Sequence, residues 1–273
     1  MPVSDQQVNA FAEKHAWQIP FDTGPRHLAG PGDARHVTHG LAAAGWKRAS
    51  DPLSPEMVLA SPDHRYRLSF VPTSGLSAWW QLRAEPTDTE PGWYAEFGEL
   101  VPAEVLGGLA DALVAPSVTG HIGPLDVLGS AGWLINARGV ASSPDAACRV
   151  EQRAELHEDS LAFWHVEVRD PDRGRHSPRL WHARFDPRTP QHLVNAFVAA
   201  LADPAPLQRG MYDRTAHHSV TKEPSPLRPE QVVEAHKTRL NMIRARARTA
   251  RRQQSKPTTT PATSSTARPA ARR

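Results

Sequence analysis

Cysteine, phosphate-cradling glycine loops and long apolar runs are what this chain has least of. Among 273 residues Cys148 carries the single thiol, so no internal disulfide can form and a reducing compartment is expected. No run of 18 or more apolar residues occurs, which excludes a membrane-spanning helix. The start, Met1 to Lys14, is polar and holds Asp5 and Glu13. It lacks a basic stretch followed by an apolar one, so no secretory leader is expected and a cytoplasmic location is. Catalytic signatures are missing too. There is no P-loop, no dinucleotide fingerprint, no Gly-x-Ser-x-Gly and no His-Glu-x-x-His, and Gly120, Gly123, Gly129 and Gly132 are merely scattered. No enzyme and no cofactor are expected.

What is present is proline, 26 residues of it, which favours turns and short elements, and a lopsided charge map. The net charge of +3 hides two opposite regions. Arg228 to Arg273 holds twelve basic and two acidic residues, which leaves the first 227 residues at net −7. A basic end of this kind attracts polyanions, with nucleic acid first, while its bland role is a solubilising tail that touches its own acidic body.

The acidic body is a tandem repeat. Ala44-Gly45-Trp46 returns as Ala131-Gly132-Trp133, and Ser61-Pro62-Asp63 as Ser143-Pro144-Asp145. Trp79-Trp80 matches Phe163-Trp164, and Trp93-Tyr94-Ala95-Glu96-Phe97 matches Trp181-His182-Ala183-Arg184-Phe185. Each copy reads as a short helix stopped by a glycine (Gly45, Gly132), about four strands of period-two alternation, and a closing helix. The stripes Val105, Leu106, Leu109, Leu113 and Leu193, Phe197, Ala200, Leu201 mark the closing helices. Pro102 opens the first of them, and Thr189 is expected to cap the second before Pro190. The fold class is therefore α+β: two tandem helix–antiparallel sheet–helix repeats, followed by a basic helix and tail. The expected divisions are an N-terminal helical extension (1–23), repeat one (24–118), repeat two (119–206), a linker (207–228), a basic amphipathic helix (229–255) and a disordered basic tail (256–273).

The run Arg26-His27-Leu28-Ala29-Gly30-Pro31-Gly32-Asp33, then Ala44-Gly45-Trp46 and Ser61-Pro62-Asp63-His64-Arg65-Tyr66, resembles a recognised bacterial family. This is domain of unknown function 317, the SPDY-motif family, which often occurs as two copies in one chain. The resemblance covers about residues 24–206. It implies family membership and no activity. Repeat two departs from the motif, because Cys148 stands where the first copy has Tyr66.

Several residue groups invite a function. Six tryptophans (Trp46, Trp133, Trp80, Trp164, Trp93 and Trp181) share the inward phase and are read as core. Trp79 falls outward and is expected to be covered by the neighbouring repeat. Ser-Pro-Asp is read as a hairpin turn whose Ser and Asp bond nearby amides, against the alternative of a polar site at Asp63 with Arg65 or Arg67. Histidine is abundant, 14 residues. His36 and His39 are spaced i, i+3 and His217-His218 are adjacent, but no cysteine joins them, so each is read as solvated or structural and no metal is expected. Glu96 with Glu104, and Glu155 with Glu158, are not singled out as acid/base pairs. Cys148 is read as an inert buried thiol.

Two basic surfaces remain as candidates. One is the outward sheet face, with Arg67, Arg83, Arg149, Arg169 and Arg184 among interspersed acids. The other is the C-terminal helix, whose apolar stripe Val233, His236, Leu240, Ile243, Ala247 leaves Arg239, Arg244, Arg246, Arg248, Arg251 and Arg252 for phosphate contacts without sequence preference. The expected function is a non-enzymatic two-repeat binding protein. Its helix would engage DNA or RNA and its repeats would recruit a protein, with no membrane contact. The alternative is a protein–protein adaptor in which the helix docks on the body and the tail is only a solvated extension.

Overall fold

The computed structural model describes residues 3–51, 53–72, 78–115, 122–154 and 161–254. The region 256–273, expected as a disordered tail, lies outside them, as does the Glu155/Glu158 pair.

Repeat one runs α2 (Arg35–Ala43), β2 (Lys47–Arg48), β3 (Met57–Ala60), β4 (Tyr66–Phe70), β5 (Ala78–Ala84), β6 (Trp93–Gly98) and α3 (Ala103–Val114). Repeat two runs α4 (Pro124–Ser130), β7 (Leu134–Ile135), β8 (Val140–Ser142), β9 (Cys148–Arg153), β10 (Phe163–Arg169), β11 (Arg179–Phe185) and α5 (Gln191–Ala202). Each copy thus has five strands rather than the four expected. The additional one is the two-residue edge strand after the Ala-Gly-Trp stop, too short to show an alternation.

The copies share one antiparallel sheet of ten strands, in the order β2-β3-β4-β5-β6-β11-β10-β9-β8-β7. The order reads as a palindrome about the β6–β11 seam, where Phe97 pairs with Ala183, Glu96 with Arg184 and Ala95 with Phe185. The repeats are therefore one pseudo-twofold domain with one core. Alternation decides which face is dry. Leu68, Trp80, Leu82, Ala84, Trp93, Ala95 and Phe97, with Val166, Val168, Trp181, Ala183 and Phe185, are all buried and face the helices, which supply the apolar cover a half-polar sheet requires. At the seam, Phe97, Phe185 and Phe197 pack with ring centres 5.2–5.5 Å apart. The closing helices cross so tightly there that a Cβ on Gly108 of α3 would stand 2.7 Å from the Ala200 methyl of α5.

Local chemistry explains the element ends. Trp46 N–H donates to Leu41 O and Gly45 N–H to Ala42 O, and Trp133 and Gly132 repeat the pattern onto Leu128 and Gly129. These are Schellman stops, and both glycines take positive φ, 96° and 84°, which a Cβ would strain. Thr189 does not cap α5. Pro190 holds the cap position, and the Thr189 hydroxyl reaches the Tyr94 carbonyl instead. Trp79 sits at a register shift in β5, half-buried against Phe70 of its own repeat, so cover from the neighbouring copy is not what protects it.

The chain ends add a second layer. Helix α1 (Asp5–Ala16) is closed by a Ser4–Gln7 capping box. Strand β1 (Pro20–Gly24) lies between β12 (Leu207–Gly210) and β13 (Thr221–Pro224) in a three-stranded sheet. Residues 207–228, expected as a linker, thus hold two strands. Helix α6 (Pro229–Gln254) packs along α1, α2 and α3, burying Val233, His236, Leu240, Ile243 and Ala247.

Candidate functional site

Helix α6 is a docked element, and docking divides its arginines into two groups. Arg239 forms a fork on Asp111 of α3 (Nε to Oδ2 2.9 Å, Nη2 to Oδ1 2.7 Å) and also donates to the carbonyls of His36 and Gly107. Arg244 reaches the Val3 carbonyl and Asn241. Arg251 donates to Ala44 O, the carbonyl at the C-terminal cap of α2, where a cation complements the helix dipole. These three hold the helix down. Arg246, Arg248, Arg252 and Lys237 are exposed, and neither Arg246 nor Arg248 has a hydrogen bond or ion pair among the described residues. At about 100° per residue, Lys237, Arg248 and Arg252 fall within about 60° of one another, while Arg246 projects from the other flank. The six arginines expected to act together are thus not one surface.

The open sheet face is divided as well. Its repeat-two half is an ion network: Glu151 bridges Arg149 and Arg153, and Glu167 bridges Arg153 and Arg169. Glu167, His165 and His182 are covered by these neighbours. Burial and the Arg153 charge push His165 down to about 4. Arg184 lies over Phe163, 4.3 Å from the ring centre. In repeat one, by contrast, Arg67 stands directly opposite Arg83, and Arg83 opposite Tyr94. Both arginines are exposed and lack a partner among the described residues. Like charges facing each other across a ladder are unfavourable. Repeat two places Glu167 where repeat one has Arg83, so the repulsion is resolved in one copy and left in the other.

The Ser-Pro-Asp segments are turns in both copies. Ser61 Oγ donates to Asp63 Oδ1 (2.5 Å) and accepts from Tyr66 N–H (2.9 Å), and Ser143, Asp145 and Cys148 repeat this at 2.5 and 3.0 Å. The next residue takes positive φ each time, 61° at His64 and 58° at Ala146. Both aspartates are therefore occupied by their own turns, and among the described residues only Asp145 of the two has a distant partner, His27 Nε2 at 2.8 Å. Burial raises Asp145, but the His27 contact and the Ser143 and Ala147 hydrogen bonds together outweigh it and hold the carboxyl at about 2. His27 lines a cleft of about 480 Å³ with Trp133, Arg26 and Asp22. In repeat one the matching cleft, about 160 Å³, is lined on one side by Ala247, Ala250 and Arg251 of α6.

Two buried polar clusters were invisible from spacing. Phe11 of α1 is stacked against His15 and His236, both at 4.1 Å, and His39 Nδ1 lies 3.2 Å from His236 Nε2. Burial lowers His236 to about 3 and His39 to about 4, with the surrounding His and Arg charges adding to it. Beside them Arg209 of β12 is buried, forked on Glu104 (2.6 and 3.0 Å), and bonded to the Ala29 and Gly30 carbonyls. Burial would raise Glu104, yet the Arg209 and His36 charges hold it below its ordinary range. These clusters join the chain ends to the repeats. Cys148 is buried and its thiol is pushed well up by burial, far from a nucleophile's range.

The fold therefore defines a class first: a pseudo-symmetric α+β domain whose two copies are closed by different terminal extensions. The family follows from comparison. Residues 60–118 and 142–207 match SPDY, a domain of unknown function (DUF317), and the chain carries two copies of that domain. Searches of curated proteins and of solved structures returned no match. No helix among the described residues is long and apolar enough to cross a membrane.

Proposed function

We propose that this two-copy DUF317 protein is a non-catalytic binding scaffold that engages nucleic acid through the outward face of α6. One observation carries the reading: Arg246 and Arg248 are exposed without partners among the described residues on a helix that Arg239, Arg244 and Arg251 fix to the body. Cations presented from a rigid element make phosphate contacts at little conformational cost. Lys237 and Arg252 are exposed on the Arg248 flank, and Arg246 projects from the other. Three contacts from the Arg248 flank correspond to a log–log salt slope of about −2.7, at about −0.9 per phosphate. Contacts of this kind have no sequence preference.

A second reading has its own support. Arg67, Arg83 and Tyr94 form an exposed, unneutralised row beside an ion network, and a mixed-sign face of this kind suits a protein partner of complementary charge.

Fluorescence anisotropy with labelled duplex and single-stranded DNA and RNA over a salt series separates the two. The variants are R246E/R248E and R67E/R83E in the full chain. All four positions are exposed, so the fold tolerates them. Loss of binding in R246E/R248E alone supports the helix reading. Loss in R67E/R83E alone moves the site to the sheet. No binding by the unaltered chain at low salt rejects nucleic acid and leaves the adaptor.

A further inference from the structure

The loop between β12 and β13 carries His217-His218, and the 3-10 segment Pro171–His176 between β10 and β11 carries Asp172. These segments are some 45 residues apart in the chain, and the fold brings them together. We propose that Asp172, His217 and His218 form a binding site for a divalent transition metal of the zinc class.

The distances carry the inference. His218 Nε2 lies 3.0 Å from Asp172 Oδ2, and His217 Nε2 lies 3.9 Å from the same oxygen. One donor atom from each of the three residues falls within 4.8 Å of the others. A tetrahedral ion with bonds of about 2.0–2.1 Å has donor–donor edges of about 3.3 Å. The observed separations of 3.0 and 3.9 Å straddle that edge. Two imidazoles and a carboxylate are a donor set that zinc, cobalt and nickel accept, whereas calcium and magnesium prefer oxygen alone.

The surroundings are those of a held site with an open mouth. The His217 side chain is 8% exposed and the Asp170 side chain 12%, while Asp172 and His218 reach solvent at 52% and 80%. Asp170 positions two of the ligands at once. Its Oδ1 accepts the Asp172 N–H at 2.9 Å and stands 3.2 Å from His217 Nε2. His217 Nδ1 accepts from the Ser219 N–H at 3.2 Å, with Ser219 Oγ 2.9 Å away, so the ring proton sits on Nε2 facing Asp170. Metal binding at Nε2 moves that proton to Nδ1, where Ser219 Oγ accepts it in place of the amide contact, and the ring stays neutral. The two aspartates then balance the ion's charge. Arg173 Nε lies 3.5 Å from Asp170 Oδ2 and is largely exposed. A bound ion would tie the three-stranded sheet to the β10–β11 hairpin of repeat two.

The test is isothermal titration of the tag-free, chelator-treated full chain with Zn²⁺, paired with thermal melting and with Co²⁺ as a spectroscopic probe. One equivalent is expected to bind, to raise the melting temperature, and to give tetrahedral Co²⁺ absorption. H218A and D172N, both at exposed positions, should each weaken binding at least tenfold with little change in the metal-free melting temperature. H236Q reports on the other histidine pair and should leave the equivalent in place. Unchanged affinity in the H218A/D172N double variant, or no binding by the unaltered chain, overturns the proposal.

Discussion

The Arg239–Asp111 fork ties α6 to α3, and a double-mutant cycle measures it. Arg239→Ala removes two bonds to Asp111 and two to the carbonyls of His36 and Gly107. Hydrogen bonds involving a charged group contribute about 1.5–3 kcal/mol each at best. Breaking a buried pair costs about 3–5 kcal/mol, because one charge is stranded. Here the side chains are 23% and 27% exposed, so water screens the stranded carboxylate, and we expect about 2–3 kcal/mol for R239A. Asp111→Ala should cost about as much, since the guanidinium keeps its carbonyl partners but loses its counter-charge. The double variant should cost less than the sum, with a coupling of at least about 1 kcal/mol. The helix opens locally if the reasoning holds, so trypsin reads the effect directly. A loss of 2 kcal/mol raises the open population about thirtyfold, and cleavage after Arg246 and Arg248 should accelerate in proportion when reclosing is fast. Strictly additive single variants, or cleavage rates unchanged in R239A, would refute the assignment of Arg239 to docking.

Acid should loosen the same interface. His39 at about 4 and His236 at about 3 lie below the ordinary imidazole value. The released helix therefore binds more protons, and docking stability is full above about pH 6.5 and falls as pH drops toward 4. Protection from trypsin-like cleavage at pH 7.5 against pH 5, using a protease active at both, should show it; His236→Gln should flatten the profile, and a pH-independent rate contradicts the argument. Gly30→Ala should detach the three-stranded sheet, since φ is +80° and the new Cβ would stand 2.2 Å from Arg214 O. We expect a cost above about 3 kcal/mol and a large drop in melting temperature, and a native-like melt would show that the Arg214 loop simply moves aside.

How much of this was legible in the sequence follows from what each element rests on. Period-two alternation and the recurring tryptophans displayed the repeat and its dry face, because one buried sheet face imposes that pattern locally. Strands β12 and β13 were hidden. Leu207-Gln208-Arg209-Gly210 and Thr221-Lys222-Glu223-Pro224 are short and polar, and their only reason to be strands is β1, some 190 residues away. Arg209 therefore reads as a linker residue although it is 2% exposed. The split among the α6 arginines was partly legible. Arg251 and Arg244 lie about 40° and 60° from the centre of the apolar stripe, against about 100° for Arg246 and Arg248, so helical angle alone separates docked from free. Arg239, about 80° off, needed its partner Asp111 to be seen. The convergence of Asp172 with His217 and His218 left no signal at all, since adjacency in sequence supplied two ligands and only the fold supplies the third.

The two copies also differ where their tryptophans should be equivalent, and the difference makes a paired prediction. In repeat one Tyr66 lies beside Trp46 and Trp93, with ring centres 6.4 and 6.1 Å apart. In repeat two the matching strand position is the small Cys148, and His27 from the N-terminal segment lies beside Trp133 at 6.5 Å. The imported segment brings its backbone with it, so Trp181 Nε1–H donates to His27 O at 2.8 Å. Its counterpart Trp93 Nε1 is buried without a partner among the described residues. Trp→Phe removes the same ring volume at both sites, and the cavity cost is therefore common to the pair. The hydrogen-bond consequence is opposite. At 181 the change strands a buried carbonyl, which costs about 1–3 kcal/mol, whereas at 93 it removes a donor that was already unsatisfied. W181F should therefore be less stable than W93F by about 1–3 kcal/mol in urea unfolding, and W181F alone should weaken the hold on the His27 segment, raising its amide exchange. Equal destabilisation by the two variants would mean that Tyr66 and His27 serve only as filler, and that the copies are closed in the same way despite their different residues.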